Sequence, residues 1–304
     1  MDKAVAGVRA FSRFYTQLVG ALDTSFLGSG LTLGEARLLF EIGNAEAPTA
    51  SDLQAALDLD AGYLSRMLRR FEAQGWITRG RGVRDARRRP IALTPAGRET
   101  FAAIDWRQRA EVVAMIERLQ PSQRSQLLSA LGTARALLDP GRKPGFTLRS
   151  FRTGDMGMIA ARQSILYEEA NGWGRGMEVI ECEVTAAFLR NFRPGREQCW
   201  VAEVDGAMAG SVFVTDEGDG LSRLRLLYVE PFARGMGIGA ALVGTCIGFA
   251  REAGYRAMTL WTHDVLESAR RLYAGYGFRI VETAVHEAFG KPEQGETWRL
   301  ELAG

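Results

Sequence analysis

Cysteine and histidine are scarce in this chain. Its 304 residues include three cysteines, Cys182, Cys199 and Cys246, and two histidines, His263 and His286. The cysteines share no metal-ligand spacing, and an odd count does not build a disulfide framework. With so few nitrogen and sulfur donors, no metal site is expected. Long apolar runs are also missing, and none approaches the length that crosses a bilayer. The first twenty residues carry scattered charges and no signal-like apolar core, so the expectation is a cytoplasmic protein without a membrane partner. What remains is ordinary for a globular chain, 46% hydrophobic and 24% charged, and long enough for two domains.

The net charge of +2 hides an asymmetry. Residues 1–145 hold 21 Lys and Arg against 15 Asp and Glu, whereas the remainder holds 17 against 21. A basic half joined to an acidic half suggests that the first half meets a polyanion. The seam lies in DPGRKPGF (139–146), where proline and glycine end a helical pattern, which gives domains of 1–143 and 144–304.

Upstream of the seam the periodicity is helical over 4–27, 33–43, 51–58, 61–75, 95–118 and 121–138. Thr32 is placed to cap the second of these, Thr49 or Ser51 the third, and Asp60 the fourth. Short strands, WITRG and IALT, flank an arginine-rich turn. This is a helix-turn-helix with a wing. Leu64, Met67, Leu68 and Phe71 take the core-facing positions of its second helix, leaving Tyr63, Ser65, Arg66 and Arg69 or Arg70 for DNA. The turn holds Arg79, Arg81, Arg84, Arg87, Arg88 and Arg89 with one acid, Asp85. Such a run is either a solvated charge cluster or a set of phosphate and minor-groove contacts, and its place after the helix-turn-helix favours the second.

The stretch SDLQAALDLDAGYLSRMLRRFEAQGWITRGRGVRDARRRPIALTPAGRE resembles the winged helix of MarR-type transcriptional regulators, over about residues 5–140. The resemblance implies a homodimer built by the flanking helices, reading a pseudo-palindromic double-stranded DNA operator. It gives Tyr63, Ser65, Arg66 and Arg69 to the major groove, Arg84, Arg87 and Arg88 to the wing contacts with Arg87 in the minor groove, and Asp85 to buttressing them.

Downstream, strands near 146–152, 199–205, 208–215, 221–229, 256–262, 277–283 and 296–302 alternate with helices. Within them VEPFARGMGIGAAL (229–242) turns an apolar strand through Gly235, Gly237 and Gly239 into a helix, a place for a phosphate on bare backbone N–H groups. A dinucleotide fingerprint would place this loop after the first strand with an acid closing the next, and a P-loop would need Gly-Lys-Ser/Thr; neither is present. A turn serving only tight packing is the plain alternative.

Arg234-Gly-Met-Gly237-Ile-Gly239, the Val-x-Pro before it and ARRLYAGYGFRIVE after it resemble the GCN5-related N-acetyltransferases, over about residues 146–302. The fold implied for the whole chain is an α-rich MarR-like winged helix followed by an α+β acyltransferase domain with a mixed central sheet. Acetyl-CoA is the implied co-substrate. Its pyrophosphate falls to Arg234, Gly235, Met236, Gly237, Ile238, Gly239 and Ala240. Its pantetheine arm falls to the strand at Leu227, Tyr228 and Val229, with the amide of Leu227 or Val229 facing the thioester carbonyl.

Tyr273 takes the family's general-acid position, although tyrosines also pack on sheets, and Tyr276 lies close by on the same helix end. Where many members have an asparagine seven residues earlier, this chain has Leu266, and Thr262-His263-Asp264 is a nearby polar alternative. Glu168, Glu178, Glu181 and Glu203 are candidate bases, each of which also reads as a surface charge. Tyr167 and Trp173, the latter between glycines and unlike a core residue, are candidates for the wall that meets an amine acceptor. His263 and His286 read as ordinary hydrogen-bonded residues.

Three readings are open: a regulator that also acetylates a small primary amine, a regulator whose second half only senses acetyl-CoA or an amine, and a protein lysine acetyltransferase. Replacing Arg87 and Arg88 by alanine should weaken operator binding and flatten its salt dependence by about one unit of slope per lost phosphate contact, measured by titration over a salt series.

Overall fold

The computed structural model describes residues 1–80, 89–139, 141, 144–289 and 292–302. By its internal contacts the chain forms two compact units, Met1–Gln120 and Pro121–Gly304.

In the first unit, helix α1 (Asp2–Leu18) is shorter than its apolar periodicity predicts. Gly20 takes a left-handed φ of 62° and ends it, and a single 3-10 turn at Phe26–Gly28 then leads into the core. Helix α2 (Leu33–Asn44) opens on a capping box: Thr32 Oγ1 accepts from the Glu35 N–H, and the Glu35 carboxylate accepts from the Thr32 N–H at 2.9 Å. Helix α3 (Ala50–Leu57) repeats the device with Thr49 and Asp52, so Thr49 rather than Ser51 is its cap. Asp60 caps helix α4 (Ala61–Ala73) through the Tyr63 N–H at 2.8 Å. Caps of this kind stabilise a helix by about 1 kcal/mol each, which matters most for one as short as α3.

Leu64, Met67, Leu68 and Phe71 of α4 are buried against Leu38, Leu39, Ile42 and Leu53. Two short antiparallel strands come next, β1 (Ile77–Arg79) and β2 (Ile91–Leu93), and then helix α5 (Pro95–Glu117). The LTPAG segment joins these parts. Thr94 accepts from the Gly97 N–H at the start of α5, and its hydroxyl donates to the Gly75 carbonyl at 2.6 Å.

The second unit begins with helix α6 (Pro121–Leu138), which the sequence seam at 139–146 assigns to the other half. It meets the sheet at Gly132, where a Cβ would lie 2.5 Å from the Asp205 carbonyl oxygen. After it come β3 (Thr147–Ser150), α7 (Asp155–Asn171), α8 (Gly174–Asn191), β4 (Gln198–Val204), β5 (Ala207–Gly218), β6 (Leu221–Val229), α9 (Ile238–Glu252), β7 (Ala257–His263), α10 (Glu267–Gly275), β8 (Arg279–His286) and β9 (Glu293–Glu301). All seven strands lie where alternation places them. They form one mixed sheet in the order β3-β4-β5-β6-β7-β9-β8, with β6 and β7 its parallel neighbours.

The edge strand β8 is exposed, whereas the central strands of the sheet are covered on both faces. Leu242, Val243, Cys246, Ile247 and Ala250 of α9 pack on one, with Leu224, Met258 and Leu260. Met156, Ile159 and Phe188 of α7 and α8 pack on the other, with Cys199, Val201, Phe213 and Tyr228.

Strand β6 is irregular on both of its edges. The β6–β7 pairing runs from Leu221↔Ala257 only to Leu224↔Leu260, although both strands continue. On its other edge β6 slips against β5, so that two residues, Leu226 and Leu227, oppose the one residue between Ser211 and Phe213. Leu226 adopts a φ of 48° there, which is a β-bulge, and the Ser211 hydroxyl donates to its carbonyl at 3.3 Å.

A Cβ at Gly97 would fall 1.9 Å from the Trp76 carbonyl oxygen. Gly97→Ala should therefore destabilise the first unit by about 1–3 kcal/mol, the usual cost of overpacking, as measured by denaturant unfolding.

Candidate functional site

The glycines of the turn before α9 serve different ends. Gly235 and Gly237 hold φ of 77° and 82°, conformations that disfavour any residue with a Cβ, and the space in front of both is open. Gly239 has ordinary φ but lies where a Cβ would meet Leu272 at 3.4 Å, so it lets α10 approach α9. Gly237 occupies the N-cap position and offers no side-chain cap. The first amides of α9 therefore point outward with the positive end of a fifteen-residue helix behind them. Arg234 stands exposed beside them, its guanidinium reaching the Val229 carbonyl at 3.4 Å. Ile238 is buried as the first core residue of α9 and Met236 is half-buried against the same core, so these two contribute backbone rather than side chain. A pyrophosphate fits this cradle.

Strand β6 leads into the turn with its β7 edge unpaired beyond Leu224. The Glu230 N–H donates to the Ala209 carbonyl of β5 at 2.9 Å. By strand alternation the N–H groups of Val229 and Leu227 face the opposite way, into the gap between β6 and β7. Tyr228, between them, turns its N–H toward β5 and its ring into the core under α7 and α8. Leu227 and Val229, not Tyr228, thus carry the free donors, and an amide-bearing arm laid in the gap would complete the missing pairing.

The gap opens into a cleft of about 320 Å³ that draws residues from α7, α8, β6, β7 and α10. Tyr273 lines it. Burial keeps the Tyr273 hydroxyl well above the usual phenol range, so it holds its proton. Tyr276 is occupied elsewhere: its hydroxyl donates to the Ala240 carbonyl at 2.6 Å and ties α10 to the start of α9. Leu266 also lines the cleft, as the N-cap residue of α10 without a side-chain cap. Thr262 and His263 line it as well, both buried, and the His263 carbonyl accepts from the Leu266 N–H at 3.1 Å.

Among the four carboxylates named from sequence, Glu181 separates from the rest. Glu178 is exposed, Glu168 accepts from the Gly174 N–H at 2.6 Å, and Glu203 pairs with Arg149 at 2.6 Å. Glu181 is fully buried, lines the cleft, and has no hydrogen-bond partner on either carboxylate oxygen. Desolvation raises its pKa to about 8, with Arg225 opposing the shift. That is where a base working near neutrality needs to be.

Tyr167 and Trp173 both line the cleft, their rings 4.9 Å apart. Trp173 departs from its sequence reading, since only 2% of it is exposed and it packs with Met177 and Phe289 in a small core of its own. It is core and cleft wall at once. The histidines meet through Nε2 atoms 2.9 Å apart, and burial with the neighbouring His286 lowers the His263 pKa to about 4. His263 is therefore neutral at physiological pH. Sequence reasoning passed over Trp261, Gln163 and Arg225, which also line the cleft. The first is a half-exposed aromatic on a strand and the others are single polar residues in ordinary patterns, so no local signal marks them.

In the first unit Tyr63, Arg66 and Arg69 are exposed on α4 and Ser65 is partly so. The Arg66 guanidinium lies 5.9 Å from the Tyr63 ring. Arg70 is held by the Glu35 carboxylate, which leaves Arg69 as the outward cation of the pair. Arg84, Arg87 and Arg88, with Asp85, lie outside the described residues. Among the described residues no cluster of potential metal ligands occurs, and no helix is long and apolar enough to cross a membrane.

Known families match both parts of the chain. The MarR family model matches residues 31–88, and that of the acetyltransferase (GNAT) family matches residues 165–291. Rat N-acetyltransferase 8F1 is 40% identical over 99 residues, covering 31% of this chain and 45% of that protein. Human N-acetyltransferase 8 is 33% identical over 113 residues, covering 35% and 50%. The chain thus spans half or less of these relatives' length. The solved N-acetyltransferase from Staphylococcus aureus Mu50 superposes with a TM-score of 0.45 and 18% identity, over 52% of this chain and 99% of that one. The chain carries a MarR family region followed, in that order, by an acetyltransferase domain of the GNAT family.

Proposed function

We propose that this protein is a cytoplasmic, DNA-binding transcriptional regulator whose second domain transfers acetyl from acetyl-CoA to the primary amine of a small molecule. The observation that carries the enzymatic part is the cleft itself. It joins unpaired β6 amides, a protonated tyrosine and a buried, unpartnered carboxylate at the end of a strand that leads into an anion cradle.

The group supplied by the co-substrate is an acetyl thioester. Gly235 to Ala240 bind its pyrophosphate through backbone amides, and the free edge of β6 pairs with its amide-bearing arm. The Leu227 or Val229 N–H donates to the thioester oxygen as negative charge gathers there. Glu181 takes a proton from the incoming ammonium and leaves a neutral amine. As the new C–N bond forms and the C–S bond breaks, Tyr273 gives its proton to the departing thiolate. The second proton lost by the nitrogen replaces it by way of solvent. The small, aromatic-walled cleft favours a free small molecule over a protein lysine.

For the first domain, support comes from the exposed Tyr63, Arg66 and Arg69 face of α4 and from α1, which buries none of its residues and exposes Val8, Phe11, Phe14 and Leu18. A second copy of the chain covering that stripe would give the dimer that pairs two recognition helices on one operator.

Calorimetric titration with acetyl-CoA should give binding that Gly237→Glu abolishes and Tyr273→Phe retains. Turnover in Tyr273→Phe should fall roughly 100-fold or more. Binding without any turnover across an amine panel would instead make the domain a sensor. The pH profile offers a separate check. Because Glu181 must be unprotonated to act, kcat/KM should rise through pH about 8 and level off above it. Glu181→Gln should remove that limb. A carboxyl with a raised folded pKa loses stability as pH climbs from its ordinary range toward 8, so Glu181→Gln should also raise Tm at pH 9 and leave it little changed at pH 4.

A further inference from the structure

The cleft holds charges of both signs that act on each other at a distance without a hydrogen bond between them. Glu181, on α8, is fully buried with both oxygens unpartnered. Gln163, on α7, presents a second unpartnered acceptor, its Oε1, while its amide N–H donates to the Tyr167 hydroxyl at 3.4 Å. Two buried acceptors without donors are costly until something with N–H groups arrives, and an ammonium supplies them.

Arg225 lines the same cleft from β6, half-buried, with no hydrogen bond or ion pair to any described residue. Its neighbour Arg223 reaches Glu217 at 3.6 Å, so the local acid is engaged with the other arginine. Burial and the proximity of Arg223 act against the charge on Arg225 and outweigh the support it draws from Glu217 and Glu181. A guanidinium in that state is matched by a carboxylate, which it can grip with two parallel hydrogen bonds.

The position of Arg225 gives this charge its meaning. It is the last residue before the bulge at Leu226 and Leu227, and so adjoins the segment whose free amides face the gap. An anion held there lies next to the reacting group, on the same molecule as the amine. A simple amine would satisfy Glu181 and Gln163 and leave Arg225 bare. The remaining wall is largely aromatic and apolar, with Tyr167, Trp173 and Trp261, and of its polar members Arg223 is paired with Glu217 and His263 with His286.

We propose that the acceptor is a free α-amino acid, or a close analogue, with an apolar side chain. Arg225 holds its carboxylate, and Glu181 with Gln163 holds its amine. This rests on the transfer reading above and narrows it to a substrate class.

Equilibrium binding separates the two claims, because it needs no turnover. The full-length protein, saturated with coenzyme A, is titrated with phenylalanine and leucine and with their decarboxylated counterparts, phenethylamine and isopentylamine. At least one amino acid should bind about tenfold or more tightly than its amine. Arg225→Gln should erase that difference by weakening the amino acid alone, and Arg225→Lys should restore part of it. Equal binding, tighter binding of the amines, no binding of any of the four, or a preference that survives Arg225→Gln would overturn the proposal. Turnover with acetyl-CoA is measured on the same samples. Acetylation of the amines as fast as of the amino acids sinks the substrate class and keeps the transferase. Tight, Arg225-dependent binding of an amino acid without acetylation keeps the recognition and sinks the transfer reading.

Discussion

The parting of β6 from β7 after Leu224 is the constraint on which the second domain depends. A parallel pair in the middle of a sheet ordinarily satisfies its backbone along its whole length, because unpaired N–H and C=O groups inside a protein are costly. Here the strands share four registered pairs and then diverge, and the bulge at Leu226 swings the chain further. The unpaired donors border a cleft open to solvent, and the amide-bearing arm proposed for this gap would take over their pairing. Everything else is arranged around that gap. The glycine turn continues from the end of the open strand, α10 brings Tyr273 to it, and α7 and α8 close it from the far face.

Electrostatics inside the cleft obey the same logic. Other carboxylates of this domain are paired, as with the half-buried Glu203 and Arg149, or the buried Glu230 and Arg162. Glu181 alone among the sequence candidates is left without a donor in a dry place. The protein leaves an expensive group unpaired at the point where the proposed transfer has a cation lose a proton, and strongly shifted pKa values concentrate at such places.

Much of this was legible from residue order. Strand alternation located all seven strands; β4 to β7 bury residues against a helix layer, whereas β8 is exposed along nearly its whole length and is held by pairing with β9. Capping residues located the starts of α2, α3 and α4, since Thr-x-x-acid and Asp at an N-cap act locally. The glycine turn was legible for the same reason: positive φ at Gly235 and Gly237 is a property of single residues. The cleft walls were legible only in part: Tyr167 and Trp173 read as wall candidates and line the cleft, whereas Trp261 and Arg225 line it without any local signal. Trp261 owes its place to Gly295 on the neighbouring strand, where a Cβ would fall 2.7 Å from the indole nitrogen. Arg225 owes its role to a bulge no residue type announces. Trp173 reads as a loop residue and is buried because α8, Phe289 and His263 converge on it. Helix α1 was over-read because apolar periodicity continues through residues that Gly20 has already turned.

Glu35 closes the cap of α2 with one oxygen and holds Arg70 of α4 with the other. One carboxylate therefore joins two parts of the winged helix that are distant in sequence. Substitutions at Thr32 and at Arg70 each alter what the shared group can do for the other, so their effects on the tilt of α4 would not add. Over evolutionary time such positions are expected to change as a set. A lineage that abandoned the cap would have to find a new anchor for α4 before it could keep the same tilt of that helix.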